Sequence, residues 1–171
     1  MNQMTRLEPS VLALLPERRI FVGTHRSANA LREALRDFSL DFWADAMLSN
    51  RAFSLSQLER EVTLVPVLSQ QLGFKLSVTR REIYARAQSI GLDLCTPDIG
   101  PLLRLQYLDQ PRGDWLWIGM VPIISEYNAS VIFGVGHSTI DGEGLSLSAY
   151  SGDADHKWAP ESSWIFAKPG G

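Results

Sequence analysis

Apolar positions recur at two different periods along this chain, and the change of period divides it. From Ser27 the spacing is helical. Leu31, Ala34, Leu35 and Phe38 fall at i, i+3, i+4 and i+7, and Arg32, Glu33, Arg36 and Asp37 take the opposite face. Ser27 or Asn29 supplies the N-cap. A second helix is predicted over residues 40–48, where Leu40, Trp43, Ala44 and Met47 share one face and Asp41 and Asp45 another. Before both, residues 19–23 read as a short strand ending at Gly23. Residues 61–68 read as a longer strand. Both of its parities become apolar toward the end, which predicts burial on two faces. Pro66 lacks a ladder N–H and predicts an edge or bulge there.

The sharpest local signal is Thr79-Arg80-Arg81-Glu82, a capping box in which the Thr hydroxyl and the Glu carboxylate each serve the other residue's backbone N–H. Ile83, Ala87 and Ile90 continue the helix, and Gly91 ends it. Thr96-Pro97 predicts the next helix start, with Thr as N-cap and Pro in the first turn. Asp98 suits the positive end of its dipole, and Ile99, Leu102, Leu103 and Tyr107 form its apolar face. Arg80, Arg81 and Arg86 are expected on the outer face of the first of these helices, and Arg104 on the second, all solvated. After Tyr107 the period falls to two. Strands are predicted over 115–121, 129–135, 145–150 and 164–168. Helices, a strand, two helices and then several antiparallel strands make an α+β pattern, with no βαβ repeat. The expected organisation is an N-terminal helical section, 1–58, and an α+β domain, 59–171, packed as one unit.

Composition narrows the function classes. The chain has 171 residues, 45% of them hydrophobic, and a net charge of −3. That is a globular composition, and its acidic balance gives no general affinity for nucleic-acid phosphates. No stretch approaches the roughly 20 apolar residues of a membrane span. The run 11–15 is too short for a signal-peptide core, so no targeting segment is read. The single cysteine, Cys95, rules out an internal disulfide, and a cytoplasmic location is expected. Cys95 reads as a small buried apolar residue, with a thiolate activated by the following helix as the alternative.

A resemblance follows from these elements. The strand, the two helices, the signature Trp117-Ile118-Gly119-Met120 and the closing Trp164-Ile165-Phe166-Ala167 together resemble a C-type lectin-like domain over about residues 60–168. The resemblance implies a small curled sheet whose last strand pairs with its first. The paired cysteines of animal members are absent, as are the Glu-Pro-Asn and Trp-Asn-Asp calcium motifs. It therefore implies no calcium-dependent sugar binding. The chain looks closer to the disulfide-free bacterial branch, which includes formylglycine-generating enzymes and the variable binding proteins of diversity-generating retroelements. From about Leu31 onward it also resembles small bacterial proteins that bring no known activity with them.

Candidate chemistry gathers in the last third. His137, Asp141 and Glu143 lie in one glycine-flanked loop, and Asp153, Asp155, His156 and Trp158 in another. A metal site could be built from His137, Asp141 and His156 with an open position for water. The spacing does not demand one: there is no His-Glu-x-x-His helix and no calcium loop. Ser138 with His137 and Asp141 is not a nucleophile elbow, and Gly134-Val135-Gly136 is not a phosphate loop. Trp115 and Trp117 fall on one face of their strand, which is expected to be a Trp-rich core. Trp158, in polar surroundings, is expected to be partly exposed. The function expected is non-catalytic binding of a protein or other ligand through Tyr127, Asn128, His137, Asp141, Tyr150, Asp153, Asp155, His156 and Trp158, aromatic area with polar orientation on a rigid scaffold. No cofactor is called for. The alternative is a metal-dependent enzyme at the same loops, and a homo-oligomer joined through the Trp-rich face is a third possibility.

Overall fold

The computed structural model describes residues 16–170. The apolar run 11–15 lies outside them. Strand β1 (Arg18–Val22) leads to helix α1 (Ala28–Ala34), capped by Ser27, whose hydroxyl accepts from Ala30 N. Strand β2 (Ser39–Leu40) follows, then α2 (Phe42–Leu48). The second helix starts two residues later than its apolar pattern suggests, because Asp41 is its N-cap: one carboxylate oxygen accepts from Ala44 N at 2.7 Å and the other from Ala149 N at 3.0 Å. Strand β3 (Arg60–Leu68), a 3-10 turn (Ser69–Leu72) and β4 (Val78–Thr79) lead into α3 (Arg80–Ser89). The capping box forms as read. Thr79 and Glu82 exchange backbone and side-chain bonds, and the Thr79 hydroxyl holds the Glu82 carboxyl below its usual range.

Helix α4 (Ile99–Gln106) begins at Asp98, not at Thr96. The Thr96 hydroxyl is spent on Asp98 Oδ1, 2.6 Å away, and Asp98 Oδ2 accepts from Ser56 N. Then come β5 (Trp115–Ile118), β6 (Ile123–Ile124), β7 (Ser130–His137), β8 (Leu145–Ser151), β9 (Lys157–Trp158) and β10 (Ser163–Ala167). The main sheet runs β1-β3-β10-β5-β7-β8-β2, with β6 added beside β7, and β4 and β9 form a separate ribbon. This is an α+β architecture with a mainly antiparallel sheet. Two pairs depart from the expected antiparallel order: β10 with β5 and β2 with β8 are parallel. Strands β1 and β2, which precede residue 59, share this sheet with the C-terminal strands. Pro66 lies in an interior strand, but β1 stops opposite Leu64, so at Pro66 β3 has a neighbour only in β10. The outer edge of β1 is covered by a side chain: Gln106 both accepts from Phe21 N and donates to Phe21 O, occupying groups that another strand would otherwise seek. Among the described residues, no helix is long and apolar enough to cross a membrane.

Helices α3 and α4 lie on opposite faces of the sheet. Tyr84 of α3 packs edge-on against Trp164 and Phe166. Its hydroxyl donates to Met120 O at 3.0 Å and accepts from Met120 N at 3.1 Å. On the other face α4 brings Gly100 against Phe133. Cys95 is buried, as expected; burial raises its thiol pKa and leaves no activated thiolate. Arg104 overturns its expected solvated position, because its side chain is fully buried. Its Nη1 donates to Gln110 Oε1 at 2.6 Å and Gly136 O at 2.9 Å, with Ser146 O at 3.5 Å, and its Nη2 donates to Tyr107 O. Neutral oxygens thus hold a buried cation with no carboxylate on it among the described residues, and burial lowers its pKa to about 10.

Two predictions follow from this core. Arg104→Met leaves several buried acceptors without a donor and should cost about 3 kcal/mol of unfolding free energy in urea titrations. Arg104→Lys should restore only part, since an ammonium lacks the planar fork. Burial also raises the Tyr84 pKa from 10.0 to about 12, so its contribution to stability is whole below pH 10 and is lost as pH rises through 12. Tyr84→Phe should therefore flatten the fall in stability between pH 10 and 12, and remove the phenolate absorbance that appears near pH 12.

Candidate functional site

Glycines on β7 decide what covers the α3 face of the sheet. Trp115 pairs with Gly136 and Trp117 with Gly134, and paired residues share a face. A Cβ on Gly134 would sit 2.4 Å from the Trp117 ring, and one on Gly136 2.4 Å from the Trp115 ring. Each indole therefore lies across the bare backbone of its neighbouring strand. The two rings are 6.1 Å apart and within 21° of parallel, laid side by side along β5. Both are half-buried. The expectation that they are core holds in part: Trp117 packs against the core beside Trp158, and Trp115 does not join it, while one face of each indole lies on glycine and the pair forms a half-buried platform.

The platform has a wall. Tyr150, on β8 and 49% exposed, has its ring 5.5 Å from Trp117. His156 stands 5.4 Å from Tyr150 and 5.1 Å from Trp158. The loop carrying His156 is fixed by the start of α3, where Arg80 N donates to His156 O and Arg81 N to Ala154 O, both at 3.0 Å. A helix that must satisfy its first N–H groups thus positions the imidazole. Trp158 is buried, not partly exposed as its polar neighbours suggest. In the β4–β9 ribbon Lys157 faces outward and Trp158 inward, where its ring meets Trp117 at 5.2 Å and Trp164 at 4.7 Å. Its Nε1–H is sealed without a partner among the described residues.

The remaining candidate residues lie elsewhere or are already engaged. His137 points to the other face from Gly136, and its Nδ1 donates to Gln110 O at 2.6 Å. Asp141 pairs with Arg112 at 2.8 Å, and Asp155 with Arg81 at 3.0 Å. Asp153 is exposed in the turn before His156, accepting from His156 N through its carbonyl. Ser138 donates to Glu143 and is not paired with His137. Tyr127 is exposed but packs with Phe42 and Trp43, a cluster the sequence did not reveal. Asn128 takes a left-handed conformation, φ 59°, in the turn beside it. A cleft of about 480 Å³ adjoins that cluster, lined by Trp43, Met47, Arg51, Ile123 and Glu126 among others. His137, Asp141 and His156 are not brought together, and among the described residues no group of three or more His, Cys, Asp or Glu could hold a metal ion.

The platform rests on two missing side chains, so Gly134→Ala should lift Trp117 from the sheet. The expected cost is about 1–3 kcal/mol in chemical denaturation, the usual penalty for overpacking, with a red-shifted Trp emission. Unchanged stability and emission would show that the ring does not lie on Gly134. In comparisons with known proteins, no family model, no curated protein and no solved structure matches this chain.

Proposed function

We propose that this chain is a non-catalytic binding module that recognises its ligand on the platform of Trp115, Trp117 and Tyr150, with His156 at the rim. One observation carries the reading: two half-buried indoles lie nearly parallel and flat on two glycines, with their outer faces toward the open part of the sheet. Holding aromatic area at a surface forgoes part of its burial energy, and such area is the common currency of recognition. The floor is rigid, because it lies on a central strand and not on a loop. A C-type-lectin-like fold goes with this reading. It is supported by the succession β3, α3, α4, β5 and by the closing strand β10 lying antiparallel to β3. A metal-dependent activity has no comparable support: His137 and Asp141 line one hollow without His156, and among the described residues no three His, Cys, Asp or Glu gather.

The test uses the indole N–H resonances of the five tryptophans. Wild-type chain, Trp115→Ala and Tyr150→Ala are titrated with a panel of methyl glycosides, oligosaccharides, proline peptides and nucleosides, with native mass measured alongside. The reading expects at least one class to move the Trp115 and Trp117 signals, and both variants to weaken that binding by about tenfold, the usual worth of one stacked ring. Responses confined to Trp43, responses undiminished in both variants, or a dimer that protects the platform indoles from solvent would each overturn it.

A further inference from the structure

We infer that the platform takes an uncharged oligosaccharide of all-equatorial pyranose rings, an inference that rests on the platform being the recognition surface. An all-equatorial pyranose carries axial C–H bonds on both faces and hydroxyls around its edge. It is flat and apolar toward a ring beneath it and polar at its rim. The platform offers the complement. Its floor is two indole faces within 21° of parallel. Their π-faces carry the negative end of the ring quadrupole, which attracts polarised C–H groups. Around the floor stand neutral hydrogen-bonding groups with no partner among the described residues: the Nε1–H of Trp115 and Trp117 and the hydroxyls of Ser148 and Tyr150. Ser148 lies on this face because it pairs with Gly134, the glycine under Trp117.

Charge argues against a nucleic-acid strand, and spacing against a proline-rich helix. A nucleic-acid strand needs cations to track its phosphates beside the stacking rings. No position of β5, β7 or β8 on the platform face is a Lys or Arg; apart from the two indoles, the two glycines and Tyr150, that face holds serines and Ile132. Of the cations beside the wall, Arg81 is paired with Asp155, Arg80 lies over the Tyr84 ring and Lys157 faces outward from the β4–β9 ribbon. A proline-rich helix presents the same face only every third residue, about 9 Å apart. The indole centroids are 6.1 Å apart, too close for successive prolines of one face and suited to adjacent parts of a continuous flat surface. Affinity from two stacked rings and a few exposed hydrogen bonds should be modest, with Kd on the order of 0.1–1 mM.

The experiment titrates the full chain with cellohexaose and chitohexaose, against maltohexaose, a decaproline peptide and oligothymidylate, read by indole N–H shifts and Trp emission. The expected result is saturable binding of cellohexaose or chitohexaose at the Trp115 and Trp117 signals. Trp115→Ala should weaken it about tenfold, Trp115→Phe should restore part of it, and Trp43→Ala should leave it unchanged. Far-ultraviolet circular dichroism and thermal unfolding confirm that each variant is folded, and Tyr150→Ala replaces Trp115→Ala if the latter is not. Equal binding of maltohexaose, whose axial linkages curve the chain, would overturn the all-equatorial assignment. Binding of decaproline or oligothymidylate alone, lost in Trp115→Ala, would overturn the saccharide and leave the platform reading intact. No response of the platform indoles to any of these ligands would overturn the saccharide, and silence across the wider panel as well would overturn both.

Discussion

The absence of a side chain at Gly134 and Gly136 is the constraint on which the two faces of this molecule depend. A Cβ at either position would enter an indole ring of β5. Without one, Trp115 and Trp117 lie down on β7 and need no helix to cover them. Gly136 is engaged a second time through its carbonyl, which accepts from the buried Arg104. A central strand is thus gripped from α4 on one side and roofed by an indole on the other. The same two glycines would weaken an ordinary strand, since they add backbone entropy and no packing. Here the cross-strand indoles supply the missing area, a rescue of glycine by an aromatic neighbour.

Arg104 explains how α4 is tied to the sheet without a strong apolar match at its end. Its guanidinium spans carbonyls of β7, β8 and the end of its own helix, so three elements share one side chain. Gln110 extends the network by donating to Asp114 and Val135 O while accepting from Arg104. Much of what a buried cation gains from its hydrogen bonds is spent on its own desolvation, but once in place it is needed by every carbonyl it satisfies, and it fixes their positions. That position includes the β5–β7 register, and so the alignment of the indoles over their glycines.

Much of the chain was legible where the determining contacts are local. The Thr79–Glu82 capping box, the Ser27 cap and the main strands follow from residues within a few positions of one another. What escaped depends on residues far apart. Arg104 reads as solvated because nothing near it in sequence shows that Gly136 and Ser146 bring carbonyls to it. Trp158 reads as exposed because its neighbours are polar, yet a two-residue strand paired with Val78 turns it inward. Tyr127 reads as one of the C-terminal loop residues, but its ring partners, Phe42 and Trp43, come from an N-terminal helix. The platform left one trace that could have been read: a Trp-x-Trp strand and a Gly-x-Gly strand, whose antiparallel pairing in register lays the rings on the glycines.

The position of Trp158 shows why the platform stops where it does. Its ring contacts Trp117, Tyr150, His156 and Trp164, and it joins the sealed half of the aromatic face to the open half. Sealing its Nε1–H without a partner costs about 1–3 kcal/mol. Ring pairs of this geometry return about 0.5–1.5 kcal/mol each beyond area burial, so four of them offset the lost hydrogen bond. On the β10 side of Trp158, Tyr84 and α3 complete an ordinary core over Trp164 and Phe166. On the β7 side no helix follows among the described residues, and the ring faces of Trp115 and Trp117 remain half-buried. Extending α3 across them would gain more burial, so what holds the face open is the path of the chain: α3 ends at Ser89, and Leu92 and Asp93 turn back to Ala167 at the end of β10.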